Sequence, residues 1–197
     1  MAYIFQTDVS LPRYAPHLEP LNGAKHSAQF YEALRSLEPI DAETIPKSFQ
    51  LKSEHRILPD VFQGPAITFV SDPVKELIKT LEPDVHQFIE VELLDRQGNP
   101  TRKPYHRFHI RQWLDSIVVE RSTITWEKNR RTGISRWVRS EPPSREHFTI
   151  SAEAIKGHHI WAERKMYHNT FFCSKQFFDK FSASGYQRLH FQNLNLT

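Results

Sequence analysis

The clearest hydrophobic pattern in the chain is the stretch ITFVSDPVKELIKTLEPDVHQFIEVELLD, residues 67–95. A short apolar run at residues 67–70 is typical of a buried strand. Apolar residues then recur at helical spacing, at Val74, Leu77, Ile78 and Leu81. Pro83 ends this pattern, and apolar and acidic residues alternate through residues 88–93, which predicts a half-buried strand. The segment is therefore predicted to form a strand–helix–strand unit.

A second stretch, TFFCSKQFFDKFSASGYQRLHFQNL (residues 170–194), repeats this organisation. Ser71 corresponds to Ser174 at an offset of 103 residues, and apolar positions of the two stretches also correspond. A side chain at such a junction can accept hydrogen bonds from free backbone N–H groups, so Ser71, Asp72 and Ser174 are predicted helix caps. Gly185 fits the position just after the second helix, where a positive φ is common.

The residues between these two units read mainly as strands. Candidate strands cover residues 105–113 and 116–126. The stretches STITW and ISRWV are predicted to form a hairpin around EKNRRTG, with Gly133 at a positive φ. HHIWAE, residues 158–163, is a further candidate strand. We therefore predict an α+β fold with two similar strand–helix–strand units around a central antiparallel sheet.

The first 65 residues have a mixed pattern. The first 22 include three prolines and are predicted to be an extended lead-in with little regular structure. Residues 26–39 (HSAQFYEALRSLEP) then predict an amphipathic helix that begins near Ser27 and ends at Pro39. A short helical turn is expected at residues 42–45 and a strand at residues 48–51. We predict that residues 1–65 form an extension packed on an α+β domain of residues 66–197.

Composition favours a folded, water-soluble protein. The sequence is 39% hydrophobic and contains 14 Phe and 4 Trp, enough for a substantial core. It has no apolar run of the ~18 residues that a membrane span needs, and its N-terminus does not resemble a signal peptide. Cys173 is the only cysteine and has apolar neighbours, so we expect a buried core residue. These features predict a cytoplasmic protein without a disulfide.

Charge is unevenly distributed along the chain. Residues 1–95 hold 8 Lys/Arg and 15 Asp/Glu, whereas residues 96–197 hold 18 Lys/Arg and 8 Asp/Glu. Such an imbalance favours a charged partner, although a solvated surface with two differently charged faces would explain it equally well.

The Gly-His-His tripeptide at residues 157–159 raises the alternative of a metal-dependent nuclease. That chemistry needs further ligands on nearby elements, so that a bound cation can activate water. The following residues read as a strand, in which His158 and His159 would point to opposite faces. His168 and Asn169 are the only candidates nearby in sequence for such further ligands. We therefore expect neither a metal site nor catalytic residues, and no cofactor.

A nucleic-acid-binding module is a second alternative. Residues 102–139 hold 10 Lys/Arg against 3 Asp/Glu, interleaved with Trp113, Trp126 and Trp137. Alternation in ISRWVRS places no continuous row of arginines on one face. A sheet with tryptophans towards the core and arginines towards water explains the pattern better, so we do not expect nucleic acid as a partner.

The order and spacing of several short motifs resemble a family of bacterial immunity proteins. The motifs are ITFVSDPVKELIKTL and FIEVELLDRQG, then FHIRQWLDSIVVERSTITW, then IKGHHIWAE, FFCSKQFFDKF and GYQRLHFQNL. The family was long known as a domain of unknown function and was later grouped with the immunity proteins of polymorphic toxins, as immunity family eleven. The resemblance covers residues 66–194.

The resemblance implies a protein that is not an enzyme. Such proteins bind a toxin delivered between competing bacteria and neutralise it in the cytoplasm, and the family offers no catalytic residues to transfer. A nuclease toxin must be basic to hold phosphates, so an acidic surface would suit its inhibitor. Candidate toxin-binding residues lie around the first and second predicted helices: Glu32, Glu38, Asp41, Glu43, Glu82, Asp84, Glu90 and Glu92. Ordinary solvated faces remain the alternative for each of them.

Overall fold

The structure is a computed structural model of the 197-residue chain. It describes residues 1–7, 16–21, 37–52, 58–64, 67–123, 125–128, 135–138, 148–164, 166, 171–186 and 189–197. Two compact units are present. The first unit comprises Met1–Gln6, Gln112–Asp179 and Phe191–Thr197, and the second comprises Thr7–Arg111 and Lys180–His190. The domain boundary after residue 65 stays a prediction.

The described residues form fourteen strands and two α-helices. In chain order these are β1 (Ala2–Thr7), β2 (Leu18–Pro20), β3 (Ser48–Leu51), β4 (Val61–Gly64), β5 (Ile67–Ser71), α1 (Asp72–Leu81), β6 (Gln87–Leu94), β7 (Tyr105–His109), β8 (Trp113–Leu114), β9 (Thr125–Lys128), β10 (Ser135–Val138), β11 (Thr149–Ile150), β12 (Ile160–Glu163), β13 (Phe171–Ser174), α2 (Lys175–Ala183) and β14 (Leu189–Leu196). Short 3₁₀ turns lie at Ala42–Thr44 and Val119–Arg121.

The second unit is built on a six-stranded sheet in the order β2-β3-β6-β7-β5-β4. Strands β3 and β6 run parallel, and the other neighbours are antiparallel. One face carries the core of this unit, because alternate residues of each strand point to the same side. That core consists of Leu18, Ile40, Ile45, Phe49, Leu51, Phe62, Ile67, Phe69, Ile89, Val91, Leu93 and Tyr105. Helix α1 packs on the opposite face, against β5 and β7, with Val74 and Ile78 buried.

The first unit contains the second six-stranded sheet, in the order β11-β14-β1-β13-β12-β8. A bridge between Ile117, just after β8, and Ile150 of β11 joins the two ends of this order. The sheet therefore closes on itself around an apolar core. That core consists of Ala2, Ile4, Ile117, Phe148, Ile150, Trp161, Met166, Phe172 and Leu194. On the other face of the sheet, the ring of Phe5 packs against that of Phe177 of α2, with the ring centroids 5.7 Å apart.

The prediction of an α+β fold is confirmed, with both sheets mixed rather than antiparallel. The helix at α1, the helical turn near residue 42, the strand Ser48–Leu51 and the hairpin of β9 and β10 lie where the sequence predicted them. Gly185 has the expected positive φ of 69°. Gly133 lies outside the described residues, and so does most of the amphipathic helix predicted at residues 26–39.

Three expectations were wrong. Residues 2–7 are not an irregular lead-in but form β1, which lies between β14 and β13 within a sheet. The strand expected across residues 116–126 is interrupted by the 3₁₀ turn Val119–Arg121. Instead of one central sheet, the middle of the chain contributes β7 to one sheet and β8 to the other. In these cases pairing with distant strands decided the secondary structure, because a short apolar stretch carries little local information about it.

No helix among the described residues is long and apolar enough to cross a membrane.

Candidate functional site

The acidic residues singled out in the sequence belong to the second unit. Six of them are exposed: Glu38, Asp41, Glu43, Asp84, Glu90 and Glu92. Asp84 lies in the turn after α1, at a positive φ of 60°. Glu32 lies outside the described residues, and Glu82 is buried.

Glu82 is only 5% exposed and does not face solvent. Its carboxylate accepts a hydrogen bond from His86 Nε2 at 2.9 Å. The backbone N–H of Arg111 donates to His86 Nδ1 at 3.4 Å, which leaves Nε2 as the nitrogen that donates to Glu82. The buried His86 ring also makes an edge contact with Phe108. Glu82 therefore anchors the end of α1 inside the unit and is not placed to contact a partner.

Glu90 and Glu92 lie on β6, on the same face of the sheet as α1 but beside the strands that α1 packs against. Glu90 is the register partner of His106, which contacts Asp72 of α1, so α1 shares this face but lies over β5 and β7. The neighbouring positions on β3 and β2 follow from the strand register. We call this surface the open face; it consists of Glu19, Ser48, Gln50, Glu90 and Glu92.

The open face carries negative charge that is only partly paired. Glu19, which the sequence did not single out, forms an ion pair with Lys52 at 2.9 Å. Glu90 and Glu92 have no ion-pair partner within the described part of the chain, and both are exposed. Alternation on β6 accounts for their exposure, since Ile89, Val91 and Leu93, which lie between and beside them, are buried in the core. A cationic surface could approach both carboxylates without breaking any ion pair that the described residues form.

A second acidic surface is the segment of residues 37–47, which we call the acidic segment. Asp41 caps its 3₁₀ turn, where the carboxylate accepts a hydrogen bond from the backbone N–H of Glu43 at 2.9 Å. Glu43 forms an exposed ion pair with Lys47. Ile40 and Ile45 are buried and attach the segment to the core, while Glu38, Asp41 and Glu43 remain exposed.

Only one of the three predicted helix caps forms a capping bond. Ser174 Oγ accepts a hydrogen bond from the backbone N–H of Phe177 at 3.2 Å. Ser71 stands at the N-cap of α1, but its hydroxyl donates to the buried carboxylate of Asp60 at 2.9 Å. The side chain of Asp72 accepts from Lys75 and His106, and the Lys75 bond is the main cause of its lowered pKa. The two junctions thus look alike in sequence but differ in hydrogen bonding.

The Gly-His-His tripeptide does not lie within a strand, contrary to expectation. Gly157 ends a turn with a φ of 79°, and β12 begins only at Ile160. His159 Nδ1 lies 2.9 Å from Ser174 Oγ, which ties it to the second junction. His168 and Asn169 lie outside the described residues. Within the part of the chain that is described, no group of three or more His, Cys, Asp or Glu side chains could hold a metal ion.

The basic stretch 102–139 is divided between the two units, with residues 102–111 in the second and 112–139 in the first. Arg107 is buried, and burial lowers its pKa to about 10. Trp126 and Trp137 are register partners in the hairpin of β9 and β10. At least one of the arginines counted in the sequence therefore serves the core rather than a basic surface.

Folding also redistributes the charge that appeared uneven along the chain. The second unit contains 15 Lys/Arg and 15 Asp/Glu, and the first contains 11 Lys/Arg and 8 Asp/Glu. The difference between the two halves of the sequence is nearly lost because basic residues 96–111 fold into the same unit as the acidic half. Local surfaces such as the open face, rather than a net charge, are therefore the features that could attract a cationic partner.

Cys173 is expected to be inert in the folded protein. It is fully buried in β13, and burial raises its pKa well above the ordinary value, so the reactive thiolate is scarce. Ellman's reagent should label less than a tenth of the thiol in native buffer and all of it in guanidinium chloride. Complete labelling of the native protein within minutes would contradict this placement.

Comparison with curated proteins found no match. By contrast, the sequence model of the Immunity protein family (Imm11) matches residues 7–195. The match includes both strand-to-helix junctions, the open face and the acidic segment, and it extends well beyond the motifs at residues 66–194. The chain therefore belongs to the Imm11 immunity protein family.

Proposed function

We propose that this protein binds a cognate antibacterial toxin in the cytoplasm and neutralises it by stoichiometric inhibition. The observation that carries the proposal is the family match across residues 7–195. In this role the chain needs no catalytic residues and no cofactor. Its partner is a protein, the toxin domain against which it protects the cell.

We further propose that the toxin is a nuclease. An enzyme that acts on DNA or RNA needs a cationic surface for the phosphates. An inhibitor that offers exposed carboxylates to that surface gains association rate and specificity. Glu90 and Glu92 on the open face, together with Glu38, Asp41 and Glu43 on the acidic segment, are exposed and supply such carboxylates.

The proposed contact surface includes most of the residues that the sequence suggested. Glu32 and the exposed Asp84 stay in the set, Glu19 joins it, and Glu82 leaves it because it is buried against His86. A tight inhibitor of this kind typically buries roughly 1,200–2,000 Å² in total. Inhibition by covering the active site would be competitive with substrate, whereas binding beside it would not, so steady-state kinetics of the toxin distinguish the two routes.

Co-expression with the toxin encoded beside this chain is the direct test. Survival of the cells and co-purification of an equimolar complex would support the proposal. Two results with the purified chain would point elsewhere. Nicking of plasmid in Mg²⁺ or Mn²⁺ would establish a nuclease, and salt-sensitive DNA binding without cleavage would establish a nucleic-acid-binding module.

Reversing the charge of Glu90 and Glu92 to lysine should weaken toxin binding about tenfold or more, mainly through a slower association rate. Surface plasmon resonance at two salt concentrations measures the loss of affinity and shows how far salt screens it. The double variant Glu120→Lys/Glu153→Lys is the matched control, since both residues are exposed in the first unit. Equal weakening by both double variants would exclude the open face. Reversal of Glu32, Glu38 and Glu43 tests in the same way the candidate residues around the first predicted helix, two of which belong to the acidic segment.

A further inference from the structure

A regular pattern of hydrogen-bond donors lies along β7 and the residues after it, in the sequence YHRFHIR. Every second residue carries a side-chain donor: Tyr105, Arg107, His109 and Arg111. We call these four residues the donor row. Because successive strand residues point to opposite faces, the members within β7 share one face of the sheet. This is the face on which the core of the second unit lies.

Each member of the donor row donates to a main-chain carbonyl of a segment that crosses this face. Tyr105 Oη donates to the carbonyl of Pro59 at 3.1 Å. The other three bonds all go to the acidic segment. They are Arg107 Nη1 to Pro46 O at 3.2 Å, His109 Nε2 to Glu38 O at 3.3 Å, and Arg111 Nε to Leu37 O at 2.8 Å. Since a carbonyl oxygen can only accept, His109 carries its proton on Nε2.

Gln87 on β6 completes this arrangement. It is the register partner of His109, so its side chain points to the same face. Its amide nitrogen donates to the carbonyl of Ile40 at 2.7 Å, and its amide oxygen accepts from the N–H of Ile40 at 2.8 Å. One side chain thus imitates both bonds of a strand pair. Ile40 is held at two points while its own side chain is buried in the core.

The acidic segment is therefore held through its main chain, while its acidic side chains are exposed. Side chains of Gln87 and the donor row bind its main chain from within the unit, at residues 37, 38, 40 and 46. Its acidic side chains, those of Glu38, Asp41 and Glu43, are exposed to solvent. This combination fixes the main chain from which the three acidic side chains project.

We propose that Gln87, His109 and Arg111 are positioning residues that hold the acidic segment in its toxin-binding conformation before the toxin arrives. The inference rests on the proposed function for its binding role, but the holding itself is a property of the free protein. A loop that is already ordered loses little conformational freedom on binding, and affinity rises accordingly. Releasing the segment should therefore weaken binding even though these side chains do not touch the toxin.

The first test uses the free protein and hydrogen exchange measured by mass spectrometry. Gln87→Ala removes both bonds to Ile40, so peptides covering residues 38–44 should exchange about tenfold faster. Gln112→Ala is the matched control, because Gln112 donates its side-chain amide to the carbonyl of Ile160 in the first unit. That control should leave exchange at residues 38–44 unchanged. Unchanged exchange in Gln87→Ala would overturn the proposal.

The second test separates positioning from a general loss of stability. In a double-mutant cycle, Gln87→Ala is combined with Glu38→Gln, Asp41→Asn and Glu43→Gln, and binding to the catalytic domain of the adjacently encoded toxin is measured. Gln87→Ala alone should weaken binding about tenfold, but it should add little once the three carboxylates are neutralised. Arg111→Lys retains a donor for Leu37 and should bind better than Arg111→Ala.

The possible failures are distinguishable. Faster exchange in Gln87→Ala with undiminished toxin affinity would overturn the binding role while leaving the immunity function intact. Full additivity in the cycle would mean that Gln87 acts on binding only through stability, which also overturns positioning. If the unaltered protein neither protects cells nor binds the toxin, the proposed function fails, and the binding role of these residues fails with it.

Discussion

Replacing Glu163 by alanine is expected to lower the free energy of unfolding by about 3–5 kcal/mol. Glu163 is only 1% exposed, at the end of β12. Its Oε2 accepts hydrogen bonds from Ser116 N and Oγ, both at 2.8 Å, and from Ile117 N at 3.1 Å. Alanine would leave these buried donors without their acceptor and would open a cavity beside them.

The effect should be large because this carboxylate holds the place where the sheet of the first unit closes. Residues 116 and 117 follow β8, and Ile117 forms the bridge to Ile150 of β11. Trp161 Nε1 also donates to Ser116 Oγ at 3.1 Å, which links the closure to the largest side chain of the core. Losing the carboxylate therefore weakens the closure and the core around it together.

Urea denaturation followed by tryptophan fluorescence measures this loss. Glu163→Gln is the informative partner variant, because its amide oxygen can still accept from Ser116 and Ile117; it should lose much less stability than Glu163→Ala. Glu153→Ala controls for removing an exposed glutamate, and should change stability by less than about 0.5 kcal/mol. If Glu163→Ala and Glu153→Ala had equal stability, the buried carboxylate would not hold the closure.

Elements with strong local signals could be predicted from the sequence, and α1 is the best example. Its apolar spacing and the proline that follows it depend only on neighbouring residues, and the helix ends at Leu81, just before Pro83. The strand at Ser48–Leu51 was also predicted, within a segment whose pattern is otherwise mixed. By contrast, residues 2–7 belong to the stretch that was predicted to be an extended lead-in, yet they form β1. It becomes a strand because β13 pairs with it, at Ala2 to Phe5, and pairing between distant residues leaves no local pattern.

The candidate site was only partly predictable. The exposed carboxylates of Glu90 and Glu92 could be inferred from alternation on β6, but the burial of Glu82 depends on His86 four residues away. The donor row did leave a signal, since donor side chains occupy every second position of YHRFHIR. That alternation places the donors on one face of the strand, but only the structure shows that they bind carbonyl groups. Its acceptors in the acidic segment lie more than 60 residues away in sequence and could not be inferred.

His109 provides the basis for the second large effect. It is 4% exposed, and burial lowers its pKa from 6.5 to about 4, with the charges of Arg111, His86 and Arg107 acting in the same direction. The bond to the carbonyl of Glu38 acts in the opposite direction, and it is weaker than burial. Between these two pKa values the unfolded chain binds a proton that the folded protein does not. Stability contributed by neutral His109 is therefore complete above pH 6.5 and is lost as the pH falls towards 4.

The His109→Gln variant is accordingly expected to lose less stability on acidification than the unaltered protein. The gap between the two pKa values corresponds to roughly 3 kcal/mol, and Gln cannot be protonated in this range. Urea midpoints measured from pH 7.5 to pH 4.5 should converge for the two proteins as the pH falls. His190→Gln is the control, because His190 is exposed and its replacement should leave the pH profile unaltered. Parallel profiles for His109→Gln and the unaltered protein would show that His109 is not held neutral by burial. Protection factors at residues 38–44, which correct for the slower intrinsic exchange of amides at lower pH, should fall over the same pH range, because protonated His109 is less stable in the position from which it donates to Glu38.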